Sequence, residues 1–115
     1  MITVDPASAL APFEQIRSQL ADAIRSGALA DGQKLPSIRQ LAGDLRVAAG
    51  TVAKAYALLE EEGLVETSRA HGTRVRAGQE YPDAVSEAAR RFAAAAADLT
   101  LEQALGAVRA AWSAR

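Results

Sequence analysis

Residues 35–65, LPSIRQLAGDLRVAAGTVAKAYALLEEEGLV, constrain this chain more than any other stretch. Ile38, Leu41, Ala42 and Leu45 recur at helical spacing, and Val52, Ala55, Tyr56 and Leu59 do so again. Only Arg46-Val47-Ala48-Ala49 separates the two runs, so two short amphipathic helices must cross sharply, as in a helix-turn-helix. A second helix held at that angle can enter a DNA major groove while the first lies across the phosphate backbone.

The flanking sequence fits this centre. Residues 2–4, Ile-Thr-Val, suit a short edge strand. Pro12 suits the first position of a helix, where its missing N–H costs nothing. Phe13, Ile16, Leu20, Ala23 and Ile24 form an apolar stripe, with Glu14, Arg17, Asp22 and Arg25 facing away, and Gly27 stops the helix as a left-handed cap. Asp31-Gly32 makes a turn, and residues 33–35 are extended because the residue before Pro36 avoids helical geometry. Ser37 and Gln40 form a capping-box pattern opening the first central helix; the second is expected from about Gly50 to Glu62, ended by Gly63. Residues 64–67 and 73–76 read as two strands joined by Ser68-Arg69-Ala70-His71-Gly72. A basic hairpin placed directly after a helix-turn-helix is a wing. Residues 77–82 read as a linker. An Ala-rich helix follows over about 83–97, with Val85, Ala89, Phe92 and Ala96 on one face. Thr100 and Gln103 repeat the capping-box pattern before a last helix carrying Leu101, Leu105, Val108 and Trp112 in one stripe. Two short helices cannot bury these faces alone; they need the core or a partner chain.

Charge decides what the central helices can meet. The chain of 115 residues has a net charge of −1, which by itself argues against nucleic acid. The distribution argues for it. Residues 34–54 hold Lys34, Arg39, Arg46 and Lys54 against Asp44 alone, and residues 69–76 hold Arg69, Arg74 and Arg76 with no acid. The acids gather elsewhere, notably at Glu60, Glu61, Glu62 and Glu66. Much of the apolar content is Ala, which favours helix but buries little surface, so a domain this small gains by pairing with a second copy. With no Cys there is no disulfide or thiolate metal site, the N-terminus lacks a secretory pattern, and no stretch is apolar enough to span a bilayer. The expectation is a soluble, cytoplasmic protein without membrane association.

The run LPSIRQLAGDLRVAAGTVAKAYALLEEEGLV, followed by ETSRAHGTRV, resembles the winged helix-turn-helix domain of GntR-type bacterial transcription regulators, over roughly residues 12–76. The short tail with Trp112 is similar to the YtrA subgroup, in which a small helical hairpin replaces a large effector domain and mediates dimerisation. The fold class so implied is mostly α with a small β-wing: a winged helix-turn-helix over residues 1–76, a linker over 77–82 and a two-helix dimerisation tail over 83–115. The resemblance implies a homodimeric DNA-binding repressor on an inverted-repeat operator, often controlling transporter operons. Arg39 matches a DNA-contacting arginine, Thr51 a contact residue early in the recognition helix, and His71-Gly72 the wing tip. The chain departs from the family pattern at Ala48-Ala49-Gly50, where many relatives are polar or basic. It departs again at Ala70, a common glycine, and at Arg74, where an apolar or aromatic residue is frequent. An operator sequence therefore does not carry over.

Read as chemistry, the candidate DNA-contacting residues are Ser37, Arg39, Ala49, Gly50, Thr51, Lys54, Arg69, His71, Gly72 and Arg74. Arg39 follows core Ile38 and points off the apolar face, next to a helix N-terminus that attracts phosphate. Arg46 either pairs with Asp44 or stays in water. On the recognition helix only Thr51 and Lys54 offer donors or acceptors near the start, while small residues at 49, 50, 53 and 57 admit a close approach to base edges. Few base hydrogen bonds are expected, leaving much of the affinity to phosphates. Arg69 and Arg74, flanking His71, suit a narrow, negative minor groove. Val85, Phe92, Leu101, Leu105, Val108 and Trp112 form the expected dimer seam. One His without Cys makes neither a metal site nor a nucleophile system, and Glu60-Glu61-Glu62 point in different directions as a solvated face. No cofactor, metal or enzymatic activity is expected. A small-molecule effector, if one acts, would bind at the tail or the domain junction. The competing reading is a winged-helix assembly module without DNA-binding activity, which the basic wing disfavours because assembly interfaces deplete charge at their cores.

Overall fold

The computed structural model describes residues 2–115, in two compact units that divide between Tyr81 and Pro82. The first unit begins with α1, Pro12–Arg25, opened by Pro12 and closed beyond Ser26 by Gly27 at φ +82°. Ile16, Leu20, Ala21 and Ile24 are buried, so the stripe read from the sequence faces the core. Residues 2–4 form no strand. Their backbone is matched by a side chain instead: the Gln19 amide accepts from Thr3 N–H at 3.0 Å and donates to Thr3 O at 2.7 Å. Gln15 does the same one turn earlier. Its Oε1 accepts from Asp5 N–H at 2.8 Å, and its Nε2 donates to Asp5 O at 3.0 Å and Leu10 O at 2.9 Å. Two glutamine amides on one helix face thus replace the neighbouring strand, which lets Ile2 and Val4 pack on the core.

Helix α2 spans Ile38–Leu45 and α3 spans Ala49–Glu61. The Ser37 hydroxyl accepts from Gln40 N–H at 3.1 Å, capping α2. Arg46 ends α2 at φ +57°, the left-handed region that L side chains seldom occupy, and this reverses the chain within Arg46-Val47-Ala48. Val52, Ala55, Tyr56 and Leu59 of α3 pack on Leu41 and Ala42 of α2 and on the α1 stripe. Burying Val52 and Leu59 completely contributes roughly 1.5–3 kcal/mol each. Tyr56 closes the arrangement: its hydroxyl donates to the Pro36 carbonyl at 2.7 Å, tying α3 to the residue before the α2 cap. Ile38, expected in the core, is 36% exposed, because the first turn of α2 borders an open groove instead.

Beyond Gly63 (φ +80°) the wing forms from β1, Val65–Ser68, and β2, Gly72–Val75. They pair antiparallel as Val65↔Val75, Glu66↔Arg74, Thr67↔Thr73 and Ser68↔Gly72. Both strands sit one residue nearer the tip than the sequence pattern suggests, because Gly72 at φ +68° closes the turn at Arg69-Ala70-His71. Val65 and Val75 anchor the hairpin in the core. The preceding extended segment laces onto the outer edge of β2. Leu35 N–H donates to Thr73 O at 2.8 Å, Val75 N–H to Gln33 O at 2.9 Å, and Gly32 N–H to Val75 O at 2.9 Å. Strand β2 is therefore held on both sides, by β1 and by the laced segment.

Glu60 and Glu61 are exposed, but Glu62 departs from the solvated face expected of residues 60–62. It meets Arg17 at 2.8 Å and Arg25 at 3.6 Å, fastening the end of α3 to α1, while Arg17 also grips Glu14 at 2.6 Å. The hydrogen bond from Arg17 holds the Glu14 carboxyl below its ordinary range. Residues 77–81 likewise belong to the first unit: Gly78 N–H reaches Asp31 Oδ2 at 3.3 Å, and Tyr81 N–H donates to Arg25 O at 2.9 Å.

The second unit, Pro82–Arg115, contains α4, Asp83–Ala95, and α5, Leu101–Ala114. Thr100 and Gln103 form a complete capping box at the start of α5. Neither helix buries a residue. No described helix is long and apolar enough to cross a membrane.

Candidate nucleic-acid interface

Three elements present the candidate contacts. From α3, Ala49, Gly50, Lys54 and Ala57 are exposed and Thr51 is half-buried at the first turn. Its N-terminal surface is thus small and nearly featureless, with Thr51 Oγ1 as the one polar side-chain group of the first turn. Lys54 is not a free arm: its ammonium lies 3.9 Å from the centroid of the Phe13 ring on α1, a cation–π contact. Phe13 entered the sequence reading only as a core residue. Its position one helix away gives no signal in the linear pattern.

From α2, Arg39 is exposed at the second helical position and has no acidic partner among the described residues. Arg46 is exposed and makes no ion pair with Asp44; its role is the left-handed end of α2. Ser37 spends its acceptor on the helix cap.

From the wing, Arg69 and His71 are exposed at the turn, and His71 N–H donates to Ser68 Oγ at 3.0 Å, which shapes the tip. Arg74 departs from expectation. It is half-buried, and its guanidinium donates to Gly32 O at 3.0 Å, so it braces the lacing segment rather than flanking His71. The strand register explains this: Arg74 pairs with Glu66, two positions from the tip pair Ser68↔Gly72, and its outer edge meets Lys34.

An open groove of about 350 Å³ joins α2 and the wing, lined by Lys34, Leu35, Ser37, Ile38, Arg39 and Gly72 among others. Lys34, counted in the sequence only as local charge, lies here. No group of acids and His among the described residues could hold a metal ion.

The family model for bacterial regulatory proteins of the gntR family matches residues 12–75, the whole of the helix-turn-helix and wing. The chain belongs to the GntR family. This GntR protein is 43% identical to the HTH-type transcriptional regulator Rv1152 of Mycobacterium tuberculosis over 89 residues, 77% of the chain and 74% of the relative. It is 44% identical to the HTH-type transcriptional repressor YtrA of Bacillus subtilis over 73 residues, 64% of the chain and 56% of the relative. Its fold resembles that of YtrA from Sulfolobus acidocaldarius, a GntR-family transcription factor, with 33% identity and a TM-score of 0.62. That match covers 83% of this chain and 97% of the other, so the likeness takes in more than the winged helix. The protein is a YtrA-like, DNA-binding transcriptional regulator and not an enzyme.

Proposed function

We propose that this regulator binds an inverted-repeat operator as a homodimer and represses transcription, with transporter genes as targets. The observation that carries the dimer is the tail. Val85, Phe92, Leu101, Leu105, Val108 and Trp112 are all exposed, Leu101 at 75% and Trp112 at 62%. A run of large apolar side chains at helical spacing on helices that bury nothing is a surface awaiting a partner. A second copy of the same tail supplies matching faces and makes a closed, two-fold interface. Two linked winged helices then meet two half-sites, which is why an inverted repeat is the operator symmetry proposed.

On each half-site the first turn of α3 approaches the bases, with Ala49 and Gly50 permitting close contact and Thr51 supplying the hydroxyl. Arg39 meets the backbone, and Arg69, His71 and Gly72 bring the wing tip to the neighbouring groove. Lys54, held on Phe13, supplies charge at the flank of the recognition helix. Repression would follow from occupancy of a promoter, and the Bacillus subtilis relative is named a transcriptional repressor.

Sedimentation of the full chain with and without duplex tests the reading. Wild type should sediment as a dimer and bind one palindromic duplex as two chains. Trp112→Ala combined with Leu105→Asp should give folded monomers that bind the same duplex weakly. A double variant that sediments as wild type would remove the tail from the assembly.

A further inference from the structure

We infer that Lys34 and Arg39 act together as a clamp on a single DNA backbone phosphate, seated in the groove between α2 and the wing. The inference rests on this face being the one that meets DNA, and it assigns Lys34 a contact that the sequence pattern does not.

Both cations line the same groove but stand on different elements. Arg39 is carried by α2, whose first turn is fixed by the Ser37 cap. Lys34 is carried by the segment laced to the wing. It is bridged to Arg74 of β2, with the neighbouring Leu35 N–H donating to Thr73 O at 2.8 Å. Its stem crosses the wing at Gly72: a Cβ built there would lie 3.1 Å from Lys34 Cε. Gly72 therefore serves two purposes, closing the turn at φ +68° and leaving a passage for the lysine stem.

Other basic side chains are held elsewhere or lie off this groove: the exposed Arg46 and Arg69 do not line it. Arg17 and Arg25 are paired with Glu62, Lys54 lies on the Phe13 ring, and Arg74 donates to Gly32 O. Lys34 and Arg39 have no acidic partner among the described residues, and no carboxylate lines their groove. Two like charges held beside one open space attract an anion into it. The backbone phosphate of DNA is the anion such a regulator meets, and a contact to it fixes position on the duplex without carrying sequence information directly.

The test is a salt titration of duplex binding for Lys34→Met, Arg39→Met and the double variant, with folding checked by thermal melts. Lys34→Gln is measured beside Lys34→Met, so that a loss of fold in one variant leaves the other. If both cations hold one phosphate, each single variant binds more weakly yet keeps nearly the wild-type salt slope. The double variant alone then loses about 0.9 in slope for each bound chain. Slopes that fall by about 0.9 in each single variant, and by twice that in the double, would overturn the shared clamp in favour of two separate phosphates. An unchanged slope and affinity in the double variant would overturn the contact altogether. Wild-type binding that shows no salt dependence on any duplex would overturn the DNA-facing reading itself, a result separable from the others.

Discussion

Tyr56→Phe keeps the buried ring and deletes only the hydroxyl that donates to Pro36 O at 2.7 Å. The bond joins the recognition helix to the entry of α2, and its loss strands the Pro36 carbonyl, for which the described residues supply no second donor. Losing such a bond costs about 1–2 kcal/mol. In a unit of this size each kcal/mol lowers the melting temperature by about 4–8 °C, so the variant should melt about 4–16 °C lower at neutral pH. Alkali supplies an independent signature. Burial pushes the Tyr56 hydroxyl up to about 12, from an ordinary value of 10.0. The folded-state value lies above the unfolded one, so this group's contribution is complete below about pH 10 and is lost as pH rises through about 12. The loss amounts to roughly 2–3 kcal/mol across that window. Phe has no proton to lose, so the advantage of wild type should shrink above pH 10 and reverse before pH 12. Circular dichroism melts of both proteins from pH 7 to 12 measure both effects. Equal melting temperatures at pH 7, or a gap that stays constant to pH 12, would refute the reasoning.

Other perturbations address the remaining devices. Gln15→Ala removes three hydrogen bonds to Asp5 and Leu10, and should raise amide exchange over residues 3–10 while leaving α3 protected; unchanged exchange would show the clamp to be idle. Phe13→Leu deletes the ring under Lys54, a contact worth about 0.5–1 kcal/mol at an exposed site, and should weaken duplex binding only while Lys54 is present. Equal losses in Phe13→Leu and Phe13→Leu/Lys54→Met, each against its parent, would sever that link. Gly72→Ala forces a side chain into left-handed geometry and against Lys34, so it should destabilise the wing by about 1 kcal/mol or more, read as faster exchange at Thr73 and Val75.

The periodicity of residues 12–24 and 38–59 made the three core helices legible, because each has one face buried by the others and so repeats its apolar residues every turn. The wing was legible too, displaced by one residue because Gly72, rather than the apolar alternation, sets its turn. What the pattern does not carry is contact between residues distant in sequence. Gln15 and Gln19 replace a strand across 10–16 positions, Glu62 reaches Arg17 across 45, and Arg74 reaches Gly32 across 42. Each is a polar side chain whose partner is a backbone group or a charge, and polar residues leave no periodic trace. The same limit hid Lys34: on the sequence it is one more cation, and only the lacing of residues 32–35 to β2 carries it to the groove with Arg39.

Selection of bound duplexes from a random pool tests the central claim most directly. The account predicts enrichment of a palindrome whose half-sites lie about one helical turn apart, with affinity that falls steeply as salt rises. Enrichment of a lone, unpaired half-site would contradict the two-fold assembly. No enrichment, with weak binding only at low salt, would contradict sequence-specific recognition by α3.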